Sequence, residues 1–327
     1  MSKTILITGT SGSGGSYLAE HILKKNKYKV VGLIRNKKKI KSYNLKVLLK
    51  YKKFNFKYSN LNNTKNLTKI INNLKPKIIF HLASVADVRK SFFKPYNIVK
   101  QNNNCTLTLL EAVRMSKINP RIMICSTAEV YGNVKKKFQP INEKNIINPI
   151  NPYAVSKTFQ DLISQNYCQL YNMDIVITRM FTYLNARRTN LFASAFAYQI
   201  LRFMKKPNKI HILKHGNLDS LRTMLDIRDA MEAYWLAATK GKKGEIYNIC
   251  GEITISVRDF LDYLIKISNI KIKKKIDKKL LRPNDIKIQL ADCRKFKKDT
   301  GWSIKYNFNQ SMKFFFNECK KIFFDKF

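Results

Sequence analysis

No CxxC pair and no metal-ligand spacing occurs among the six cysteines of this 327-residue chain (Cys105, Cys125, Cys168, Cys250, Cys293, Cys319). That pattern argues against structural zinc, so no metal site is expected. Several of the six sit inside apolar runs, as buried free thiols do, which fits a reducing compartment. The chain also has no apolar run long enough to span a bilayer. Its first residues already read as a strand and leave no room for a signal peptide, so a cytoplasmic, membrane-independent protein is expected. Internal repeats and low-complexity linkers are missing as well. Acidic residues are scarce, 21 Asp and Glu against 63 Lys and Arg, for a formal net charge of +42. A charge of that size raises the possibility of a nucleic-acid binder. The lysines are nevertheless scattered among Asn and Ile, without the Arg-rich or aromatic signatures of RNA-binding modules. Most of the charge is therefore read as solvated surface, and no nucleic-acid partner is expected. Its long-range field would still favour an anionic substrate.

What the chain does have begins at its start. Thr4, Ile5, Leu6, Ile7 and Thr8 form a short apolar, β-branched run, Gly9, Gly12 and Gly15 follow, and a helical apolar pattern opens at Ser16. Strand, glycine turn and helix in that order mark a dinucleotide site. The glycines let the backbone approach a pyrophosphate, whose charge rests at the helix N-terminus. The next strand, residues 30–34, ends in Arg35, where an NAD-selective site would carry Asp or Glu. A guanidinium there suits the extra phosphate of NADP, so NADP is expected over NAD.

Strand-like and helix-like stretches alternate through the first half of the chain, the mark of a doubly wound parallel sheet. Residues 77–83 read as the fourth strand. Residues 97–115 read as a long helix with Leu107, Leu110, Ala112 and Val113 on its apolar side. Residues 121–126 read as the next strand, with Thr127 at the C-terminal end where such sheets hold ligands. The expected architecture is α/β: a Rossmann-like, doubly wound parallel sheet over residues 1–181, with a smaller C-terminal α/β substrate region over residues 182–327 that closes the cleft. The basic run 271–279 reads as a solvated loop or edge strand. His81 reads as a buried core or cofactor-contact residue, and Phe314, Phe315, Phe316, Phe323 and Phe324 as an apolar helix face that docks on the domain or on another copy.

Tyr153 and Lys157 stand one helical turn apart, behind Thr127 and Glu129. A tyrosine has an unperturbed pKa near 10, and a lysine on the same helix face can favour its phenolate by charge proximity. Together with the glycine loop, the pair describes an enzyme that moves hydride and proton together.

These residues resemble the extended short-chain dehydrogenase/reductases that act on nucleotide sugars. Residues 8–20 (TGTSGSGGSYLAE), 81–83 (HLA), 126–132 (STAEVYG), 151–157 (NPYAVSK), 216–222 (GNLDSLR) and 281–285 (LRPND) are similar to GDP-mannose 4,6-dehydratases. Residues 244–250 (GEIYNIC) are more similar to the sister GDP-4-keto-6-deoxymannose reductases. The resemblance implies that Tyr153, assisted by Lys157 and Thr127, deprotonates the sugar C4 hydroxyl as hydride leaves C4 for NADP+. Glu129 would then remove the C5 proton, water would leave C6, and the hydride would return to C6. It further implies cofactor contacts at Asn60, Leu61, Leu82 and Ala83. Arg187, Arg188, Arg222 and Arg282 would hold the diphosphate of a nucleotide-diphosphate sugar, and the helices of the sheet domain would form a homodimer or homotetramer. A reductase of a 4-keto sugar nucleotide, or an epimerase or dehydratase of another nucleotide sugar, stays open as an alternative. Four positions depart from the family: Ala128, where related dehydratases carry Asp or Ser; Thr182 and Tyr183 in place of Asn-His; and Ala186 in place of a proline.

Overall fold

The computed structural model describes residues 3–35, 40–207, 209–281 and 283–326. In chain order the first half runs β1 (Lys3–Thr8), α1 (Ser13–Lys24), β2 (Tyr28–Ile34), α2 (Tyr43–Leu49), β3 (Phe54–Tyr58), α3 (Thr64–Leu74) and β4 (Ile78–His81). It continues with α4 (Val88–Phe93), α5 (Pro95–Arg114), β5 (Arg121–Thr127), α6 (Pro152–Leu170) and β6 (Ile175–Met180). The second half holds α7 (Phe192–Phe203), β7 (His211–His215), β8 (Leu221–Met224), α8 (Ile227–Lys240), β9 (Ile246–Ile249) and β10 (Ile253–Ser256). It ends with α9 (Val257–Ser268), β11 (Ile272–Ile276), β12 (Ile288–Gln289), α10 (Arg294–Thr300) and α11 (Phe308–Lys326).

Seven parallel strands form one sheet in the order β3-β2-β1-β4-β5-β6-β9. The order reverses between β1 and β4, so a crevice opens beyond their C-terminal ends, where ligands bind in such sheets. β1 shows why the run at residues 4–8 is a strand. Ile5 and Ile7 pack into the core on the α1 and α8 side, while Leu6 joins the opposite core beneath α3 and α5. That is a period of two with both faces covered. All three side chains are fully buried, and truncating a buried aliphatic of this kind costs about 2–5 kcal/mol.

The chain beyond Thr182 returns to this sheet. β9 adds the outer strand beside β6, and α8 packs against α1. The rest of that half builds a three-stranded sheet (β10-β8-β12) and a parallel pair (β11-β7). Its own core gathers α7, α9 and α11 around Phe196, Phe260 and Phe315. The basic run is the exposed strand β11, paired with β7. On α11, Phe315, Phe316 and Phe323 are buried in this core, while Phe324 is exposed. α5 corrects one expectation. Its inward face runs through Ile98, Asn102, Cys105, Leu109, Leu110 and Val113, and Leu107 lies outside that stripe, partly exposed. The helical period decides here over the residue's apolarity. All six cysteines are free thiols. Among the described residues no helix is long and apolar enough to cross a membrane, and no cluster of His, Cys, Asp or Glu could hold a metal.

Candidate active site

The glycine turn lies at the sheet's switch point. Gly9 has a φ of +74°, a conformation that glycine adopts without a Cβ penalty, and a Cβ there would stand 2.8 Å from the Ala83 amide nitrogen. Gly15 packs against the Gly9 carbonyl, leaving no space for a side chain. The turn is closed by Gly12 N donating to Gly9 O at 2.9 Å. α1 begins with no side-chain cap and no acidic residue in its first turn. Its first amides therefore lack intrahelical partners and point their partial positive charge into the crevice. This donor set and the side-chain-free cradle fit the pyrophosphate of a dinucleotide. Leu82 and Ala83 border the same crevice, and the Ala83 amide donates to Thr8 Oγ1 at 3.2 Å. Arg35 is exposed at the end of β2; Asn60 and Leu61 follow β3, the first exposed and the second buried.

Two strands further along, β5 ends at Thr127, which caps a single 3-10 turn over Ala128–Tyr131 by accepting from Glu129 N at 3.4 Å. α6 starts opposite. Pro152 occupies its first turn, and Asn151 is its N-cap, with Oδ1 accepting from Ala154 N at 2.8 Å. These two ends bring Thr127, Glu129, Tyr153 and Lys157 together. Tyr153 is buried, with the Thr127 hydroxyl beside its phenol. Burial raises the phenol's pKa above its ordinary value, and the Arg188 charge and the nearby Thr127 hydroxyl oppose that rise. Lys157 is buried too, and burial lowers its pKa.

The cations are arranged differently from the sequence reading. Lys157 Nζ donates to the Cys125 carbonyl and to Gln160 Oε1, inside the fold. Arg188 supplies the positive field that Tyr153 feels. Gln160 Nε2 in turn donates to Thr106 Oγ1 at 3.0 Å, and Thr106 meets His81 Nε2 at 3.1 Å. The other ring nitrogen of His81 meets Thr8 Oγ1 at 2.9 Å. Burial, with Lys157 nearby, pushes the His81 pKa down to about 3, so the ring is a neutral member of a chain of contacts from β1 to Lys157.

The turn that carries Glu129 is braced from below. Arg179 Nε and Asp161 Oδ2 form a buried ion pair at 2.7 Å. Arg179 Nη1 also donates to the Tyr131 hydroxyl at 2.9 Å, which donates to Asn248 Oδ1 at 2.8 Å. β6, α6, the turn and β9 are thereby tied at one point. Breaking such a buried pair by removing one partner costs about 3–5 kcal/mol.

The arginines proposed for a diphosphate are dispersed. Arg187 is buried against α1, ion-paired with Glu20, donating to Ser16 Oγ at 3.1 Å and lying 3.8 Å over the Tyr17 ring. It pins the second region to the helix of the glycine loop, and Asn185 does the same by donating to Ser13 Oγ at 3.2 Å. Arg188 borders the cleft and donates to the Ala86 carbonyl and to Asn190 Oδ1. Arg222, on β8, donates to the Leu221 and Ile286 carbonyls at 2.8 and 2.6 Å, with Asp285 at 3.8 Å. Arg282 lies outside the described residues. At the departures from the family, the Ala128 methyl is buried in the core, and the Tyr183 hydroxyl lies over Gly14, 3.2 Å from where a Cβ would stand.

Sequence reasoning missed Asn151, Gln160 and Thr106. The first had a local signal, an Asn-Pro pair opening a helix. Thr106 had none, because its partners lie 25 and 54 residues away.

The arrangement is therefore a nucleotide cradle beside a buried tyrosine, a threonine and a half-buried carboxylate. The sequence profile of the family described as GDP-mannose 4,6 dehydratase matches residues 6–314. A GDP-mannose 4,6 dehydratase of Drosophila melanogaster is 30% identical, over 94% of this chain and 83% of that protein. A GDP-6-deoxy-D-mannose reductase of Pseudomonas aeruginosa is 26% identical, over 72% of this chain and 78% of that protein. Among solved structures, the UDP-glucuronic acid 4-epimerase of Bacillus cereus in complex with UDP-glucuronic acid and NAD superposes with a TM-score of 0.83 at 28% identity, covering 98% of this chain and 99% of that one. The chain belongs to the GDP-mannose 4,6-dehydratase family of short-chain dehydrogenase/reductase-type nucleotide-sugar enzymes.

Proposed function

We propose that this chain is an NADP-dependent 4,6-dehydratase that converts GDP-mannose to GDP-4-keto-6-deoxymannose. The observation that carries the reading is the Glu129 carboxylate, held beside Tyr153 and Thr127 at one strand end. Reduction of a 4-keto sugar leaves its C5 proton in place, whereas an elimination needs a base there.

Bound NADP+ would accept hydride from sugar C4 and give it back at C6. Tyr153 takes the proton of the C4 hydroxyl, with Thr127 fixing the hydroxyl group and Arg188 favouring the anionic form. The ketone so formed acidifies the C5 proton, which passes to Glu129. Ala128 has no proton to give the leaving oxygen. Glu129 is then the acid as well as the base: the proton it removes from C5 departs with the C6 oxygen as water. Once the hydride is back at C6, a solvent proton enters at C5 while Tyr153 gives its proton to solvent. Lys157 holds the end of β5 through the Cys125 carbonyl.

Arg35 supports NADP over NAD, by the phosphate-pairing chemistry of a guanidinium. Arg188, with Arg222 and Arg282, supplies cationic candidates for the diphosphate. Six free thiols fit a reducing compartment such as the cytoplasm. Exposed Tyr96, Leu107, Val155 and Leu162 on α5 and α6 support a homodimer or homotetramer through these helices; sedimentation equilibrium of a monomer at micromolar concentration would remove that part.

The reductase relative and the Ala128 methyl favour a second reading, reduction of a 4-keto sugar nucleotide. The mass of GDP-mannose after incubation with the protein and trace NADP+ separates the two. Loss of one water without net cofactor consumption is expected, and the same incubation with NAD+ reads the cofactor choice. An unchanged mass, with NADPH consumed when a 4-keto sugar nucleotide is supplied, would establish the reductase instead.

A further inference from the structure

Glu129 sits on a one-turn segment, yet the side chain that holds it comes from another element. Asn151 Nδ2 donates to Glu129 Oε2 at 3.1 Å, while Asn151 Oδ1 accepts from Ala154 N at 2.8 Å. Asn151 is buried. One amide thus locks the carboxylate to the first turn of α6, two residues before Tyr153. Among the described residues, Glu129 Oε1 accepts no hydrogen bond.

We propose that Asn151 is a positioning residue for the elimination, and that it selects which oxygen of Glu129 does the chemistry. The inference rests on the dehydratase reading. With the amide N–H on Oε2, the proton taken from sugar C5 is carried on Oε1. The C5–H bond breaks as the Oε1–H bond forms, and the C5 electrons become the C5=C6 double bond as C6–O breaks. The proton on Oε1 leaves with that oxygen as water. A carboxylate free to rotate would divide its time between productive and unproductive placements, and a misplacement of about 1 Å can cost 10²-fold in rate. Because Ala128 offers no second proton donor, this geometry has to serve both proton transfers.

A purely structural role, as the cap of α6, makes a different forecast. Asn, Asp and Ser cap helices almost equally well. Asn151→Ser and Asn151→Asp each keep an oxygen for Ala154 N, but Ser is too short to keep its donor on Glu129, and Asp has none. If Asn151 positions the base, kcat for water loss falls about 10- to 100-fold in both variants. KM for GDP-mannose and NADP+ affinity stay at their wild-type values in both variants. The melting temperature does so in Asn151→Ser, whereas in Asn151→Asp the second carboxylate beside Glu129 lowers it. A second readout isolates the proton transfer: exchange of the C5 hydrogen of supplied GDP-4-keto-6-deoxymannose in D2O slows by the same factor. Wild-type turnover and exchange in both variants would overturn the proposal and leave Asn151 a cap. If the wild-type protein itself neither removes water nor exchanges C5, the dehydratase reading fails and the proposal with it.

Discussion

Replacing Glu129 by glutamine is expected to slow water loss from GDP-mannose by about 10²–10⁴-fold, the usual contribution of a positioned general base. The substitution is isosteric, and its amide oxygen can still accept from Asn151, so the turn over Ala128–Tyr131 and its bracing through Tyr131 and Arg179 stay in place. NADP+ binding should be unchanged, because the cradle at Gly9, Gly12 and Gly15 is built from β1 and α1. The variant should still oxidise C4 once, read as the absorbance of reduced cofactor in a single turnover. It should fail to exchange the C5 hydrogen of a supplied 4-keto product. Full water loss by the glutamine variant would show that the base lies elsewhere.

Tyr153→Phe is expected to produce a loss of similar size, about 10²–10⁴-fold, but at the preceding step. The phenol is buried beside Thr127, and Phe fills nearly the same volume without a polar atom. Thr127 Oγ1 still accepts from Glu129 N in that variant, so the protein should stay folded. The pattern of partial reactions carries the test. The phenylalanine variant should not oxidise C4, yet it should retain C5 exchange on a supplied ketone, since Glu129 and Asn151 are untouched. The glutamine variant should show the reverse. Loss of both partial reactions in either variant would mean that the two residues do not act at separate steps.

How much of this was legible in the sequence depends on the range of the interactions. The β1–glycine–α1 unit could be read directly, because a period of two, three glycines and a period of 3.6 follow one another within the first turn of the fold. Tyr153 and Lys157 could be placed on one helix face by spacing alone. Thr127 and Glu129 could be placed near them because strand ends are where parallel sheets hold ligands. The partners of the cations could not be read. In a chain with 63 Lys and Arg, nothing local marks Arg187 as the partner of Glu20, 167 residues away. Lys157 illustrates the same limit at short range. Gln160 is one turn further along α6, but which nearby groups the ammonium meets was settled by the packing of α6 on β5. Leu107 was misread because an apolar residue near an apolar stripe need not lie on it. The place of β9 beside β6 depends on a contact with a segment some seventy residues earlier, Ile177 against Ile246.

The most direct test of the account follows the C4 hydrogen itself. GDP-mannose deuterated at C4 is incubated with the protein and trace NADP+, and the product is read by mass and by NMR. The account predicts loss of one water, with the deuterium found in the C6 methyl group and one solvent hydrogen at C5. Deuterium retained at C4 of unchanged substrate, or water loss with the label released to solvent, would contradict it.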